Sequence, residues 1–182
     1  MNLFEVLAAL ESNDDLHLAR LLILLYTFAK KDNTGSIEGL TKLAKLDFLL
    51  RYPVYLERAL EAKARSTKNV QIADHERKSV ESSMVRYKYG PWDFRYRRFI
   101  NMLVGMGLVG IEAKGRTIEI KLTDTGLATA TKLVNEDAFD DIVRRSNILK
   151  THFNVTGTNL MKFIYSTFPE IGSLSLGEKI SS

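Results

Sequence analysis

A mainly helical α+β fold follows from three features of this sequence. Apolar residues recur at three- and four-residue steps along most of the chain, the period of a helix packed on one side. Two runs alternate instead, residues 108–112 and 117–122, and Ala113-Lys114-Gly115-Arg116 between them carries the glycine of a tight hairpin turn. A helix stopping at Gly105 and Gly107 leads into the first run, and Thr123 or Asp124 caps a helix after the second. Preceded by three helices and a strand, this order is that of a winged helix-turn-helix, here with additional C-terminal helices.

The elements can be justified in turn. Leu3, Phe4, Leu7 and Leu10 suggest a short first helix. Asn13-Asp14-Asp15 then offers caps for a helix bearing Leu16, Ala19, Leu22, Ile23, Tyr26 and Ala29 on one face. Leu21, Leu24, Leu25 and Phe28 fill its other faces, so it should be buried on more than one side. A second helix, 39–51, carries Leu40, Leu43, Ala44, Leu46, Asp47 and Leu50 on its stripe. Pro53 ends or kinks it, because proline has no N–H and pushes Tyr52 from helical geometry. A third helix spans 54–65. Residues 66–83 are polar and aperiodic and read as a mobile insertion with an ordered piece at Val70–Ile72. Residues 85–89 alternate as a strand, Gly90-Pro91 reads as a turn, and Asp93 can cap a helix reaching Met106. Helices at 125–135, 138–153 and 157–168 complete the list. The expected division is a winged-helix domain over 1–137 and a helical extension over 138–182.

Composition removes several functions. The chain has 182 residues and no cysteine, so disulfides, thiolate metal sites and cysteine nucleophiles are excluded. Its start lacks a basic, clean apolar leader, and 16–29 is too short and too polar for a membrane span, so a soluble, cytoplasmic protein is expected. His17, His75 and His152 lie far apart, in no metal-ligand spacing. No phosphate-cradling glycine loop is present either. No catalytic residue, cofactor or metal is therefore expected, and the reading is a binding protein.

The net charge is +4, and the positive excess is concentrated between Met84 and Lys121, where eight Lys/Arg face three acids. If residues 93–106 form the groove-binding helix of a winged helix, burying Phe99, Ile100 and Leu103 brings Arg95, Arg98, Arg97 and Asn101 onto exposed faces. Arginine and asparagine can make paired contacts to base edges. Arg86 and Lys88 on the preceding strand, and Lys114 and Arg116 at the hairpin tip, complete the set of candidate DNA contacts. Solvation of a surface helix, or pairing with acids of a partner protein, explains the same residues equally simply. Tyr87, Tyr89, Trp92, Phe94 and Tyr96 cluster around Gly90-Pro91; such residues either stack on bases or anchor a turn against a core. Late in the chain, Leu160, Phe163, Ile164, Phe168, Ile171, Leu174, Leu176 and Ile180 have few neighbours in sequence to cover them. They are candidates for docking a partner, or for folding back on the chain's own core.

Three passages taken together resemble a known family: LAKLDFLLRYP at 43–53, VRYKYGPWD at 85–93 and GTNLMKFIYSTFPEI at 157–171. They are similar to the middle component of bacterial ABC-three-component systems, the group that includes Lamassu-type anti-phage defence. The resemblance implies a non-enzymatic winged-helix subunit joining an SMC-like ABC ATPase to an effector, often a nuclease, with double-stranded DNA as a further candidate partner. It carries over no catalytic residue. The alternative is a free-standing winged-helix transcription regulator.

Overall fold

The computed structural model describes residues 14–29, 32–78 and 84–181. The helix expected over residues 3–10 lies outside them. Mainly helical with small antiparallel sheets, the fold is of the expected class. Helix α1, Asp14–Phe28, is buried around most of its circumference, as its unbroken apolar composition requires. The short strand β1, Ile37–Glu38, precedes α2, Leu40–Arg51, and α3, Pro53–Ala62. Pro53 opens α3 at a position where its missing N–H costs nothing, and Tyr52 (φ −115°) is the joint between the two helices.

Strand β1 was invisible in the sequence because two residues are too few to show alternation. It nevertheless closes the main sheet. Strands β4, Val109–Lys114, and β5, Thr117–Leu122, form the expected hairpin, and β1 pairs with the far edge of β5 through Ile37 and Ile120. The spatial order is β1-β5-β4. Helix α4, Tyr96–Gly105, enters this hairpin through Gly107, whose φ of +71° lets the N–H of Leu108 reach back to the carbonyl of Leu103 at 2.9 Å. The Thr123 hydroxyl accepts from the N–H of Gly126 and starts α5, Asp124–Leu133.

Between α3 and α4 the chain departs from expectation twice. Residues 85–92 are a two-stranded hairpin, β2 (Val85–Tyr87) and β3 (Gly90–Trp92), and its turn falls at Lys88-Tyr89, with Gly90-Pro91 inside a strand. The described part of the expected mobile insertion, 66–78, is held down. Val70 is buried, and the buried Arg145 donates to the carbonyls of Val70 (2.9 Å) and Gln71 (2.7 Å) and to Glu76 (2.6 Å). Arg145, with Arg144 donating to the Asn69 carbonyl at 3.1 Å, thus substitutes for a backbone ladder.

Arg145 belongs to α6, Asp140–Phe153, which follows a 3-10 turn at Asp137–Phe139. Helices α7, Gly157–Thr167, and α8, Pro169–Ser173, come next. Leu149, Phe153, Leu160 and Ile164 join the same hydrophobic cluster as α1 and α2, so the C-terminal helices share the core of the preceding residues. The chain end then returns to the small hairpin. Ile180 donates to Met84 and Arg86 to Glu178, laying the tail beside β2, and the Tyr52 hydroxyl bridges the two segments.

Candidate binding site

Because helices α1, α2 and α4 are apolar where they meet, the charges enclosed there are conspicuous. Asp47, on the inner side of α2, is fully buried. It accepts from Arg20 Nε (2.6 Å) on α1, Arg51 Nε (2.8 Å) one turn on, and the Tyr96 hydroxyl (2.6 Å) on α4. Arg51 continues to Asp93 (2.8 Å), which also takes Arg95 Nη2 at 2.9 Å and the Arg95 N–H at 2.9 Å. Burial would raise both carboxyl pKa values, but the surrounding guanidinium groups override it and hold both well below the usual range. Burial raises that of the Tyr96 hydroxyl, which stays protonated as a donor. His17 closes the cluster, stacked on Phe99 with Nδ1 2.7 Å from Arg20; burial first, and Arg20 second, lower its pKa to about 3, so it is neutral. Every titratable group here is spent on another protein group. The network joins three helices to the β2–β3 hairpin and is structural.

The basic residues expected at a DNA face are drawn into this and other pairings. Arg95 is turned towards Asp93 and lies over Phe99, so it does not project from α4. Arg98 pairs with Asp14 (2.7 Å). Lys114 bridges Glu38 (3.0 Å) and Glu119 (2.6 Å), and Arg86 stacks on the Tyr165 ring. Arg97, Asn101 and Arg116 are exposed, and among the described residues none of them has an acidic partner; Lys88 lies over Tyr89. The structure thus leaves a thinner positive face than the sequence promised.

Most of the partner-docking candidates are corrected outright. Leu160, Ile164, Phe168, Ile171 and Ile180 are buried in the chain's own core, and Phe163 and Leu174 pack against it. Their cover comes from helices far away in sequence: Phe168 meets Tyr55 of α3 edge-on at 4.9 Å. Only Leu176 stands exposed.

A different apolar surface is open. Phe94 is 67% exposed, Tyr89 49% and Tyr87 40%, so these aromatics do not anchor a turn in the core; Tyr96 alone does so fully. Tyr87 stacks on Trp92 and meets Phe94 edge-on, and with Leu40 and Arg97 they line a cleft of about 450 Å3. Rigid aromatic rings beside an unpaired arginine are the composition of an interface centre. Among the described residues no group of three or more acids and histidines could hold a metal ion, and no helix is long and apolar enough to cross a membrane.

Compared with protein-family models, curated proteins and solved structures, the chain matches none of them.

What sequence reasoning missed has a recognisable signature. Asp47 and Arg51 stand one helical turn apart in a helix that is otherwise apolar on that side, and His17 and Arg20 interrupt the most apolar helix of the chain. Charges placed within a buried stripe signal a paired cluster.

Proposed function

We propose that this chain is a non-catalytic docking subunit that works in the cytoplasm, joining an SMC-like ABC ATPase to an effector nuclease in bacterial anti-phage defence. The observation that carries the docking role is the exposed aromatic face of Tyr87, Tyr89 and Phe94 beside Arg97. A face of this kind costs solubility unless a partner covers it.

The assignment to a defence complex rests on the three passages that resemble the middle component. Far apart in sequence, they meet in space. Arg51 of the first binds Asp93 of the second, Phe168 of the third packs on Phe48 of the first (6.4 Å), and the Tyr165 hydroxyl of the third donates to the Tyr87 carbonyl of the second (2.9 Å). Residues that specify one junction are those a family would share. The strand order β1-β5-β4, with α1, α2 and α4 beside it, supports reading the chain as a winged helix whose second and third helices are separated by an insertion over 53–95. On this reading α4 is the helix that would enter a groove. Its exposed Arg97 and Asn101, with Arg116 at the hairpin tip, favour direct DNA contact as a second reading.

Co-expression with the coiled-coil ATPase and nuclease encoded by neighbouring genes tests the proposal. All three should purify as one complex. The absence of such genes, or a chain that purifies alone as a symmetric dimer selecting a palindromic DNA site, would favour a transcription regulator instead.

A further inference from the structure

Lys45 occupies a position where a lysine is expensive. It lies in the middle of α2 and is 2% exposed. Its ammonium makes one hydrogen bond, to the Thr41 carbonyl one turn back at 3.1 Å, and among the described residues no carboxylate pairs with it. Burial draws its pKa down to about 8. The hairpin covers the lysine stem: Gly90 has a φ of +121°, which L side chains rarely adopt, and a Cβ there would stand 3.1 Å from Lys45 Cε.

Lys45 lines a cleft of about 490 Å3 where α2, the β2–β3 hairpin, the start of β5 and the start of α7 converge. Thr41, Thr117 and Thr158 also line it, and none of their hydroxyls has a hydrogen-bond partner among the described residues. Gly157 and Thr158 supply the first backbone N–H groups of the eleven-residue α7, which no carbonyl of that helix can satisfy. The acid in the cleft, Glu38, is occupied by Lys114. Three elements thus bring donor-bearing residues to the lining of a cleft that also includes a lysine without an acid among the described residues.

We propose that this cleft binds a phosphate monoester, with Lys45 as its charge partner. A carboxylate presents two oxygens in one plane; the three terminal oxygens of a phosphate monoester suit donors arriving from separate directions. The cleft is far larger than an oxyanion, and it shares Thr41 and Tyr89 with the lining of the aromatic cleft. That leaves room for the organic group carrying the phosphate, supplied by a free nucleotide or by the 5′ end of a nucleic-acid strand.

Calorimetric titration of the full chain with adenosine monophosphate, with adenosine, and with a single-stranded oligonucleotide bearing either a 5′-phosphate or a 5′-hydroxyl distinguishes the sources. At least one phosphorylated probe should bind about tenfold or more tightly than its unphosphorylated counterpart. Which one does so identifies the source. Lys45→Met should erase the preference while unfolding at or above the wild-type temperature, because it removes an uncompensated buried charge. Thr158→Glu, at an exposed helix start that tolerates an acid, should also erase it without disturbing the fold. Equal binding of phosphorylated and unphosphorylated probes overturns the proposal, as does a preference that survives both variants.

Discussion

Two residues apart on α2, Asp47 and Lys45 are both buried charges, and they are treated in opposite ways. Asp47 receives donors from α1, α2 and α4, all within 2.8 Å, and its burial ties three helices together. Lys45 receives one backbone carbonyl and faces a cleft. A carboxylate whose desolvation is offset by several charged hydrogen bonds marks a structural junction. A lysine left without an acid at similar burial marks a place where something outside the chain can complete the arrangement.

The comparison breaks if its two halves behave alike. The largest effect should come from Asp47→Ala, which strands Arg20 and Arg51 inside the protein and is expected to cost about 3–5 kcal/mol in urea denaturation. A loss below about 1 kcal/mol would mean that the network does not clamp the helices. Next is Arg145→Ala. It should cost roughly 2 kcal/mol, since two buried carbonyls and Glu76 lose a charged donor, and should open 66–78 to proteolysis. Unchanged resistance to protease would show that buried Val70, the Arg144–Asn69 bond and the Arg77–Glu57 pair suffice to hold the segment.

Proton linkage sharpens the contrast. His17 is held neutral to about pH 3, whereas the unfolded chain protonates near 6.5. The unfolded state therefore carries more protons between those values, and stability should fall as pH drops through that window; His17→Gln should flatten the slope. For Lys45 the window lies at the alkaline end. The folded lysine releases its proton near pH 8 and the unfolded one near 10.5, so this group adds stability as pH rises between them. Lys45→Met should remove that rise and stabilise the chain at pH 7 by about 1 kcal/mol, the smallest of these effects. A destabilised Lys45→Met protein would show that the ammonium is an internal strut after all.

Much of the fold was legible because local chemistry dictated it. The glycine stop at Gly107, the alternation of 117–122 and the Thr123 cap each act within a few residues. The short strand β1 was not legible, nor was the docking of the chain end beside β2, because both depend on partners more than eighty residues away. The site was less legible than the fold. Asp47 sits on the apolar stripe of its helix, and its partners Arg20 and Tyr96 lie 27 and 49 residues away. Arg95 and Lys114 are basic and near the surface, as expected of DNA contacts, yet acids brought close by folding claim them. The late apolar residues need cover, and for all but Leu176 the core supplies it.

On the proposed function, the aromatic surface next to Arg97 serves a partner while the Asp47 junction serves the fold. The proposed partner is a coiled-coil ABC ATPase, and its affinity for the purified wild-type chain should be measured against that for Phe94→Ser combined with Arg97→Glu. Binding should weaken about tenfold or more with an unchanged unfolding temperature. Equal affinity for both proteins would contradict it.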